Sequence, residues 1–475
     1  MKPVRTRFAP SPTGFLHVGN VRSALFPWLV ARQAGGVLVL RIEDTDQARE
    51  VAGAVEVIHE TLSWLGIEWD EGPDKPGKYG PYVQSERGEI YRRWAQKLID
   101  AGRAYADIRT PDELDALRAD AKAQKKAFLA RDYRPTDTPT WEPGMPLRFK
   151  SEPKAYSWHD AVMGDMSAGE EAVDDFIMLK SDGMPTYNFA HIVDDAEMEI
   201  THVIRGLEYI ASVPKYLNLY EALELEVPVL AHVPHIMNEQ GNKKLSKRDG
   251  ATSILDYRAQ GYPQEAILNF LASMGWNDGT EQELFSRDEL IAKFSLDRVQ
   301  RSGARFDEKR LDWMSGAWIR RLNLDDVYKR CQDFWPDTAK DYPADYKRQV
   351  LALTQERLKY FAELPALTAF FFTDLPLNYE LISSNKQLKK VDRNELKQLL
   401  ETTKTTLESS DFSVDDLTTK LNGLLEETGQ KPGVLFSLIR IATTQAPFSP
   451  GLSETMHILG KDRSLARIDQ QLANL

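Results

Sequence analysis

Two short stretches far apart in the chain carry residue types that together could handle a polyphosphate. The first is Pro10-Ser-Pro-Thr-Gly-Phe-Leu-His-Val-Gly-Asn20. His17 and Gly19, where a loop turns into a helix, put a hydrogen-bond donor, bare backbone and the positive helix end at one point, which suits phosphate. Gly19 also leaves room for a flat purine to lie on the backbone. The second is Gly241-Asn-Lys-Lys-Leu-Ser-Lys-Arg-Asp-Gly250. Its end glycines allow a mobile loop, and Lys244, Lys247 and Arg248 supply positive charge where a transition state builds negative charge. Alone, each has a plainer reading, a packed or solvated histidine in one case and a solvated basic turn in the other.

The elements that must position these residues are legible as a βαβ unit. Val4 to Phe8 reads as a strand, residues 9–14 as a turn, and His17 to Gln33 as a helix from apolar residues at three- and four-residue steps. Pro27 lies inside that helix and should kink it. Val37 to Ile42 is the continuous apolar run of a strand buried on both faces, and it ends in Glu43-Asp-Thr-Asp46. In open α/β sheets ligands bind at that edge. A helix from Ala54 to Leu65 follows, then the turn-rich Glu71 to Gly77. Residues 80–185 mix a helix from Glu86 to Ala101, a charged helical stretch from Pro111 to Leu129 and proline-rich loops, and resemble an insertion. Strands return at Phe176–Lys180 and Met198–Arg205, with a helix from Pro214 to Leu223. Past Ile254 helical spacing takes over, as in Val350, Leu353, Leu358, Phe361, Leu364, Leu367 and Phe371, and Ser413-Val-Asp-Asp416 reads as a helix cap. The fold class is therefore an α/β Rossmann-type core with an α/β insertion, then an all-helical C-terminal half.

Composition bounds the rest. The chain has 475 residues, 42% hydrophobic and 28% charged, with one cysteine and a formal charge of −12. Global disorder is excluded, as is an internal disulfide, and a reducing cytoplasmic location is expected. There is no signal-peptide core and no apolar run of membrane-spanning length. The acidic balance speaks against coating nucleic acid by bulk charge but not against a local basic groove.

Taken together, Gly14-Phe-Leu-His-Val-Gly19 and Lys244-Leu-Ser-Lys-Arg248 resemble the paired signatures of class I aminoacyl-tRNA synthetases. Arg5-Thr-Arg-Phe-Ala-Pro-Ser-Pro-Thr-Gly14, Arg41-Ile-Glu-Asp-Thr-Asp46, Ser181-Asp-Gly-Met-Pro-Thr-Tyr-Asn188, Val193-Asp-Asp195 and Thr201-His-Val-Ile-Arg-Gly206 are similar to the glutamyl-tRNA synthetase family. The resemblance runs from residue 3 to about 320. It implies a Rossmann catalytic core (1–80 and 186–250), an acceptor-stem-binding insertion (81–185), a stem-contact region (251–320) and a helical anticodon-binding domain (321–475). It also implies a two-step reaction through a glutamyl-adenylate, with ATP and Mg²⁺ as substrate complex and transfer to the 3′ end of tRNA(Glu). Charging of tRNA(Gln) is left open. No protein nucleophile is required, and none is found at a recognisable spacing.

By the same resemblance, His17 and Gly19 hold the triphosphate and adenine, Lys244 and Lys247 stabilise departing pyrophosphate with Arg248 adjacent, and Glu208 lies near the ribose. The glutamate pocket comprises Arg7, Ala9, Ser11, Glu43, Tyr187, His191, Arg205 and Tyr209. The charge logic agrees, because a dicarboxylate bearing an ammonium calls for guanidinium forks and one opposing carboxylate. Arg41, Asp44 and Asp46 read as an ion pair at a strand end, and no metal site is assigned to the acidic run. Many members of the family carry a zinc site on cysteines after an Ala-Tyr pair. Here Ala104-Tyr105 is followed by Ala106-Asp-Ile-Arg-Thr110, so no zinc is expected.

Beyond residue 321 basic and acidic side chains nearly balance, and Gln355-Glu-Arg-Leu-Lys-Tyr-Phe361 resembles the family's anticodon-binding region. A monomer is expected. The competing readings are a glutaminyl-type enzyme, a non-catalytic tRNA-binding relative and a small-substrate adenylyltransferase, the last leaving the helical half unexplained.

Overall fold

The computed structural model describes residues 2–14, 16–245 and 253–475. They divide into two compact units, Met1–Tyr257 with Ile267–Glu308, and Arg258–Ala266 with Lys309–Leu475.

In the first unit β1 (Arg5–Phe8) pairs in parallel with β2 (Val37–Leu40), Arg5 opposite Val37 and Phe8 opposite Leu40. The crossover is α1 (Val18–Gln33), whose Leu25, Phe26 and Leu29 are wholly inaccessible. Phe294 packs 4.9 Å from the Phe26 ring and Arg287 lies over Trp28, so the helix is covered on its outer side as well. Pro27, expected to kink this helix, does not end it. The helix is continuous from Val18 to Gln33, Pro27 is buried in it, and its carbonyl accepts the Thr6 hydroxyl at 2.9 Å.

Then come α2 (Ala54–Leu65), α3 (Gly88–Asp100), β3 (Ala104–Ala106) and α4 (Pro111–Ala123). Thr110 and Glu113 form a full capping box at the start of α4. The helix expected to reach Leu129 stops at Ala123, where Lys125 adopts φ 56°. Next are β4 (Leu147–Phe149), β5 (Tyr156–Asp160), β6 (Gly164–Ala168) and β7 (Ile177–Leu179). β3, β4 and β7 form a small antiparallel sheet. Beside it Asp107 accepts from Arg109 and Arg148, each within 2.7 Å, and Asp175 accepts from Arg134, Ser151 and Tyr105.

α5 (Tyr187–Glu197) leads into β8 (His202–Gly206). This strand starts later than the expected Met198, because Glu199 takes φ 52° in the turn that closes α5. Thr201 N–H donates to Arg5 O at 2.9 Å, laying β8 beside β1. After α6 (Val213–Ala222), β9 (Val229–Val233) runs parallel to β8, placing Arg205 opposite His232. β5 joins the other edge of β9 at Asp160 and Leu230, with β6 outermost. The strand ends carrying Phe8, Leu40 and Gly206 thus lie together, and that edge bears the functional residues.

β10 (Ile236–Met237) pairs with β11 (Ala304–Arg305), a short strand in the region expected to hold none. Helices α7 (Ile254–Ala259), α8 (Gln264–Ser273) and α9 (Arg287–Lys293) lie between them in sequence.

The second unit is helical. After α10 (Glu308–Arg321) and α11 (Leu324–Arg330), the apolar run expected as one helical stretch divides into α12 (Ala344–Thr354) and α13 (Leu364–Phe372). Leu358 and Tyr360 are extended between them, and Pro365 falls in the first turn of α13, where proline is tolerated. Then follow α14 (Glu380–Ser383), α15 (Arg393–Glu408), α16 (Val414–Thr428), α17 (Pro432–Thr444), α18 (Leu452–Leu459) and α19 (Lys461–Asn474). Ser413 caps α16 as expected, accepting from Asp416 N–H at 3.2 Å. Leu400, Leu407, Leu417, Leu424, Leu435 and Leu438 form its core. Among the described residues no helix is long and apolar enough to cross a membrane.

Candidate active site

A cleft of about 380 Å³ opens at the strand edge of the first unit, lined by the 7–17 loop, the start of α1, Glu43, Tyr187 and residues 204–209. Of the residues expected in the site, Arg7, Ala9, Ser11, His17, Glu43, Tyr187, Arg205, Glu208 and Tyr209 line it. Lys247 and Arg248 fall outside the described residues.

His17 is the N-cap of α1. Its Nδ1 accepts from Gly19 N–H at 3.0 Å while Asn20 Oδ1 accepts from the His17 amide at 3.3 Å. Because Nδ1 is the acceptor, the proton of the neutral ring belongs on Nε2, which makes that atom a donor. Gly19 has no slack behind it, since a Cβ there would come 2.9 Å from His17 Cε1. A side chain at position 19 would therefore disturb the imidazole itself.

Lys244 Nζ lies 3.1 Å from Glu208 Oε1, and His235 is 3.5 Å from the other oxygen. Burial would raise the Glu208 pKa, but a hydrogen bond from its own backbone N–H, together with Lys244 and His235, brings it below the usual carboxylate value. Lys244 and Glu208 are about half exposed, so their pair is weak and a phosphate can take Lys244 over at little cost.

The two arginines differ in what neutralises them. Arg7 Nε bonds Asp195 at 3.2 Å and Arg7 Nη1 donates to the Ile204 carbonyl. Asp195 also takes Arg41 at 2.8 Å, and Arg41 reaches Glu43 at 3.0 Å and Asp194 at 3.7 Å. Asp194 in turn accepts from Arg87, Gln84 and Tyr91. The expected association of Arg41 with Asp44 and Asp46 is therefore corrected: Asp44 accepts from the Ser85 amide and Asp46 pairs with Arg49. Arg41 is buried at the centre of a carboxylate network that fixes Glu43. Burial raises the Glu43 pKa despite Arg41 and Arg7.

Among the described residues Arg205 has no carboxylate partner of this kind. Its Nε donates to His232 Nε2 and its Nη1 to His191 Nε2, both at 3.3 Å. His191 Nδ1 faces the Tyr187 carbonyl at 2.7 Å, and His232 Nδ1 faces Asp160 at 2.6 Å. Carbonyl and carboxylate oxygens only accept, and a guanidinium only donates, so each imidazole is the neutral Nδ1–H form with its Nε2 lone pair on Arg205. Burial, with Arg205 adding to it, pushes His191 well below its ordinary pKa. Burial also lowers His232 although Asp160 opposes this. The guanidinium lies over the rings of Tyr209 and Tyr216, 5.1 and 4.9 Å from their centroids. Its positive charge is thus held in place without being cancelled. His191, expected on the pocket wall, is 1% exposed and stands behind Arg205 instead.

Sequence reasoning gave no role to Asp160, His232, His235, Gln84, Arg87 or Tyr91. A signal for one of them existed: His232 interrupts the apolar run Val229-Leu-Ala-His-Val233, and a polar side chain in a buried strand needs partners.

The buried network has a consequence for acid stability. Burial would raise the Asp195 pKa, but Arg7 and Arg41 bring it from 3.8 down to about 2. The folded chain therefore binds this proton less readily than the unfolded one. The resulting stability, on the order of 2 kcal/mol, is complete above about pH 4 and is lost as pH falls towards 2. Thermal melts of the protein should show the midpoint steady from pH 6 to 5 and falling steeply below pH 4. A flat profile down to pH 3 would contradict this.

Comparison with known proteins agrees with this arrangement. Residues 3–313 match the family model described as tRNA synthetases class I (E and Q), catalytic domain, and residues 326–472 match an anticodon binding domain. A glutamate–tRNA ligase of Dehalococcoides mccartyi is 41% identical over 482 residues, covering 99% of this chain and 98% of the relative. One from Clostridium botulinum is 42% identical, covering 98% and 97%. A crystal structure of a glutamate tRNA ligase from Elizabethkingia meningosepticum, in complex with its amino acid, superposes with a TM-score of 0.88 at 32% identity over 100% of both chains. That of Elizabethkingia anophelis gives 0.85 at 31%, over 99% of this chain and 100% of the other. With these matches and the cleft's cationic and carboxylate groups in place, the chain belongs to the glutamate–tRNA ligase family of class I aminoacyl-tRNA synthetases.

Proposed function

We propose that this chain ligates L-glutamate to the 3′ end of tRNA(Glu) in two steps. The glutamate α-carboxylate attacks the α-phosphate of ATP, giving glutamyl-adenylate and pyrophosphate, and the acyl group then passes to the terminal adenosine. The observation that carries this reading is Arg205, a buried cation held by neutral imidazoles at the wall of the cleft. An anionic side chain would complete it, while the neutral amide of glutamine would forfeit a charge-assisted bond. Glu43 faces the substrate ammonium, and Arg7, already paired with Asp195, steadies the pocket floor. His17 Nε2–H and the α1 N-terminus receive the triphosphate, Glu208 the ribose, and Lys244 and Lys247 the departing pyrophosphate. ATP enters with Mg²⁺, which shields the phosphates. The protein contributes alignment and fixed charge and no covalent nucleophile.

The test is ATP–pyrophosphate exchange in the presence of tRNA(Glu), because many enzymes of the family activate glutamate only with tRNA bound. Exchange with glutamate and none with glutamine is expected. The reverse preference would make this a glutaminyl-type enzyme, and exchange with neither would remove the catalytic reading.

The zinc that many relatives carry does not fit this chain. The residues after Ala104-Tyr105 include no thiol, and Asp107, the nearest carboxylate, is consumed by Arg109 and Arg148. Among the described residues no cluster of three or more His, Cys, Asp or Glu is placed to hold a metal ion. Incubation with a strong chelator followed by dialysis should leave the thermal midpoint and, once Mg²⁺ is restored, the exchange rate unchanged. A loss reversed by zinc alone would contradict the assignment.

For the second unit the anticodon reading rests on a local patch. Phe448 is 74% exposed, and Arg440 lies close enough to Arg357 for that charge to lower its pKa further, after burial. Arg440 Nε donates to Ser449, the neighbour of Phe448 in sequence, at 2.9 Å, and an exposed ring on such a cationic stretch suits unstacked bases. Phe448→Ala should raise the KM for tRNA about tenfold, the worth of one stacking contact, with the KM values for ATP and glutamate unchanged. Steady-state charging kinetics decide it, and an unaltered tRNA KM would move the anticodon surface elsewhere.

A further inference from the structure

Behind Arg205 the structure contains a second set of residues that touches no part of the cleft. Asp160 ends β5 and is fully buried. Its Oδ1 accepts the backbone N–H groups of Val162, Met163 and His232 at 3.0, 2.9 and 3.1 Å, and its Oδ2 takes His232 Nδ1 at 2.6 Å. His232, equally buried, passes its Nε2 to Arg205 Nε at 3.3 Å. The chain therefore starts on β5, crosses β9 and ends on the guanidinium on β8.

We propose that Asp160 and His232 are positioning residues for recognition of the substrate's side-chain carboxylate, Asp160 fixing the His232 tautomer and His232 fixing the orientation of Arg205. The inference rests on the ligase reading above and deepens it.

The arrangement solves a specific problem. A carboxylate bonded directly to Arg205 would orient the guanidinium but would cancel the charge meant for the substrate, as Asp195 does for Arg7. A neutral imidazole interposed between Asp160 and Arg205 keeps the direction and leaves the charge. This works only if His232 carries its proton on Nδ1, because an Nε2–H would point one donor at another. Asp160 enforces that choice, since its carboxylate can only accept.

The logic makes Asp160→Asn the decisive variant. Asparagine keeps a carbonyl oxygen for the three backbone N–H groups, so the turn at residues 160–163 stays capped. Its Nδ2 then faces His232 Nδ1, which must become an acceptor. The proton moves to Nε2 and confronts the Arg205 N–H. A role limited to capping the turn would leave kinetics untouched.

The measurement is tRNA-dependent ATP–pyrophosphate exchange on the full chain, with KM for glutamate and for ATP determined separately and thermal midpoints in parallel. Asp160→Asn should raise the glutamate KM at least tenfold and leave the ATP KM within twofold. His232→Leu, which removes the acceptor, should do the same. His232→Gln, whose amide can present oxygen to Arg205 and N–H to Asp160, should lie within about threefold of wild type. The double variant Asp160→Asn/His232→Gln should not recover the loss, because a glutamine flipped to accept from the new asparagine turns its own NH2 on Arg205. Equal rises in both KM values, or an unchanged glutamate KM in Asp160→Asn, would overturn the proposal. If Asp160→Asn does not fold, the contrast between His232→Leu and His232→Gln decides alone, and equal behaviour of those two would overturn it. Should the wild-type chain show no glutamate-dependent exchange, the ligase reading falls and takes the inference with it. Normal wild-type exchange with unresponsive variants removes the inference only.

Discussion

Arg205→Met is expected to lower glutamate-dependent exchange by on the order of a thousandfold while leaving ATP binding nearly intact. The side chain is 7% exposed, and a buried charge-assisted contact is worth about 2–5 kcal/mol when one partner is removed. The upper part of that range applies because, among the described residues, nothing else on this wall replaces the charge: Arg7 is tied to Asp195 and Arg41 to three carboxylates. Methionine fills similar space without offering a donor, so His191 and His232 keep their places with unused lone pairs. Discrimination against glutamine should collapse together with the rate, since the cation is what makes the amide the poorer ligand. The ratio of kcat/KM for the two amino acids, measured in the variant, checks both statements. A loss under tenfold, or an intact preference for glutamate, would shift recognition to Arg7.

Asp195→Asn is expected to cost about 3–5 kcal/mol of folding stability, because it removes the negative charge shared by two buried guanidiniums while leaving both in place. At about 2–4 °C per kcal/mol for a domain of this size, the thermal midpoint should fall by roughly 10 °C. Replacing Arg41 by Met in the same chain should restore part of the loss, since it takes away one of the stranded cations. The pair forms a double-mutant cycle whose coupling should exceed 1 kcal/mol. Additive losses would mean that Asp195 acts as an ordinary helix residue and that Arg41 is served by Glu43 and Asp194 alone. The steep acid limb of the wild-type melting profile should also flatten in Asp195→Asn.

Much of the site was readable from residue order because its members cluster where element boundaries are written in local chemistry. The 9–17 loop announces itself through two prolines and a glycine, β2 through a run of four aliphatic residues, and Glu43 through its place just past that run. Pairings that depend on distant parts of the chain were not readable. Asp195 is 154 residues from Arg41 and Asp160 is 72 from His232, and no periodicity links such partners. The same limit explains Asp44, whose partner is the Ser85 amide, whereas Asp46 pairs with Arg49 only three residues on. The bond of His191 Nε2 to Arg205, fourteen residues on, was likewise not readable; the family resemblance alone placed His191 in the pocket.

Arg205 and Glu208 stand only three residues apart, with Gly206 between them in extended conformation at φ −66° and ψ 151°. The interval between the residue proposed to anchor one end of the amino acid and the one proposed to anchor the nucleotide is therefore set by covalent geometry rather than by any loop that could stretch. Such a span behaves as a ruler. Aspartate carries both charges of glutamate, but one methylene fewer leaves its reacting oxygen short of phosphorus when its far end is docked. A misplacement of about 1 Å costs on the order of a hundredfold in rate, so the shorter homologue should be disfavoured by length as glutamine should be by charge.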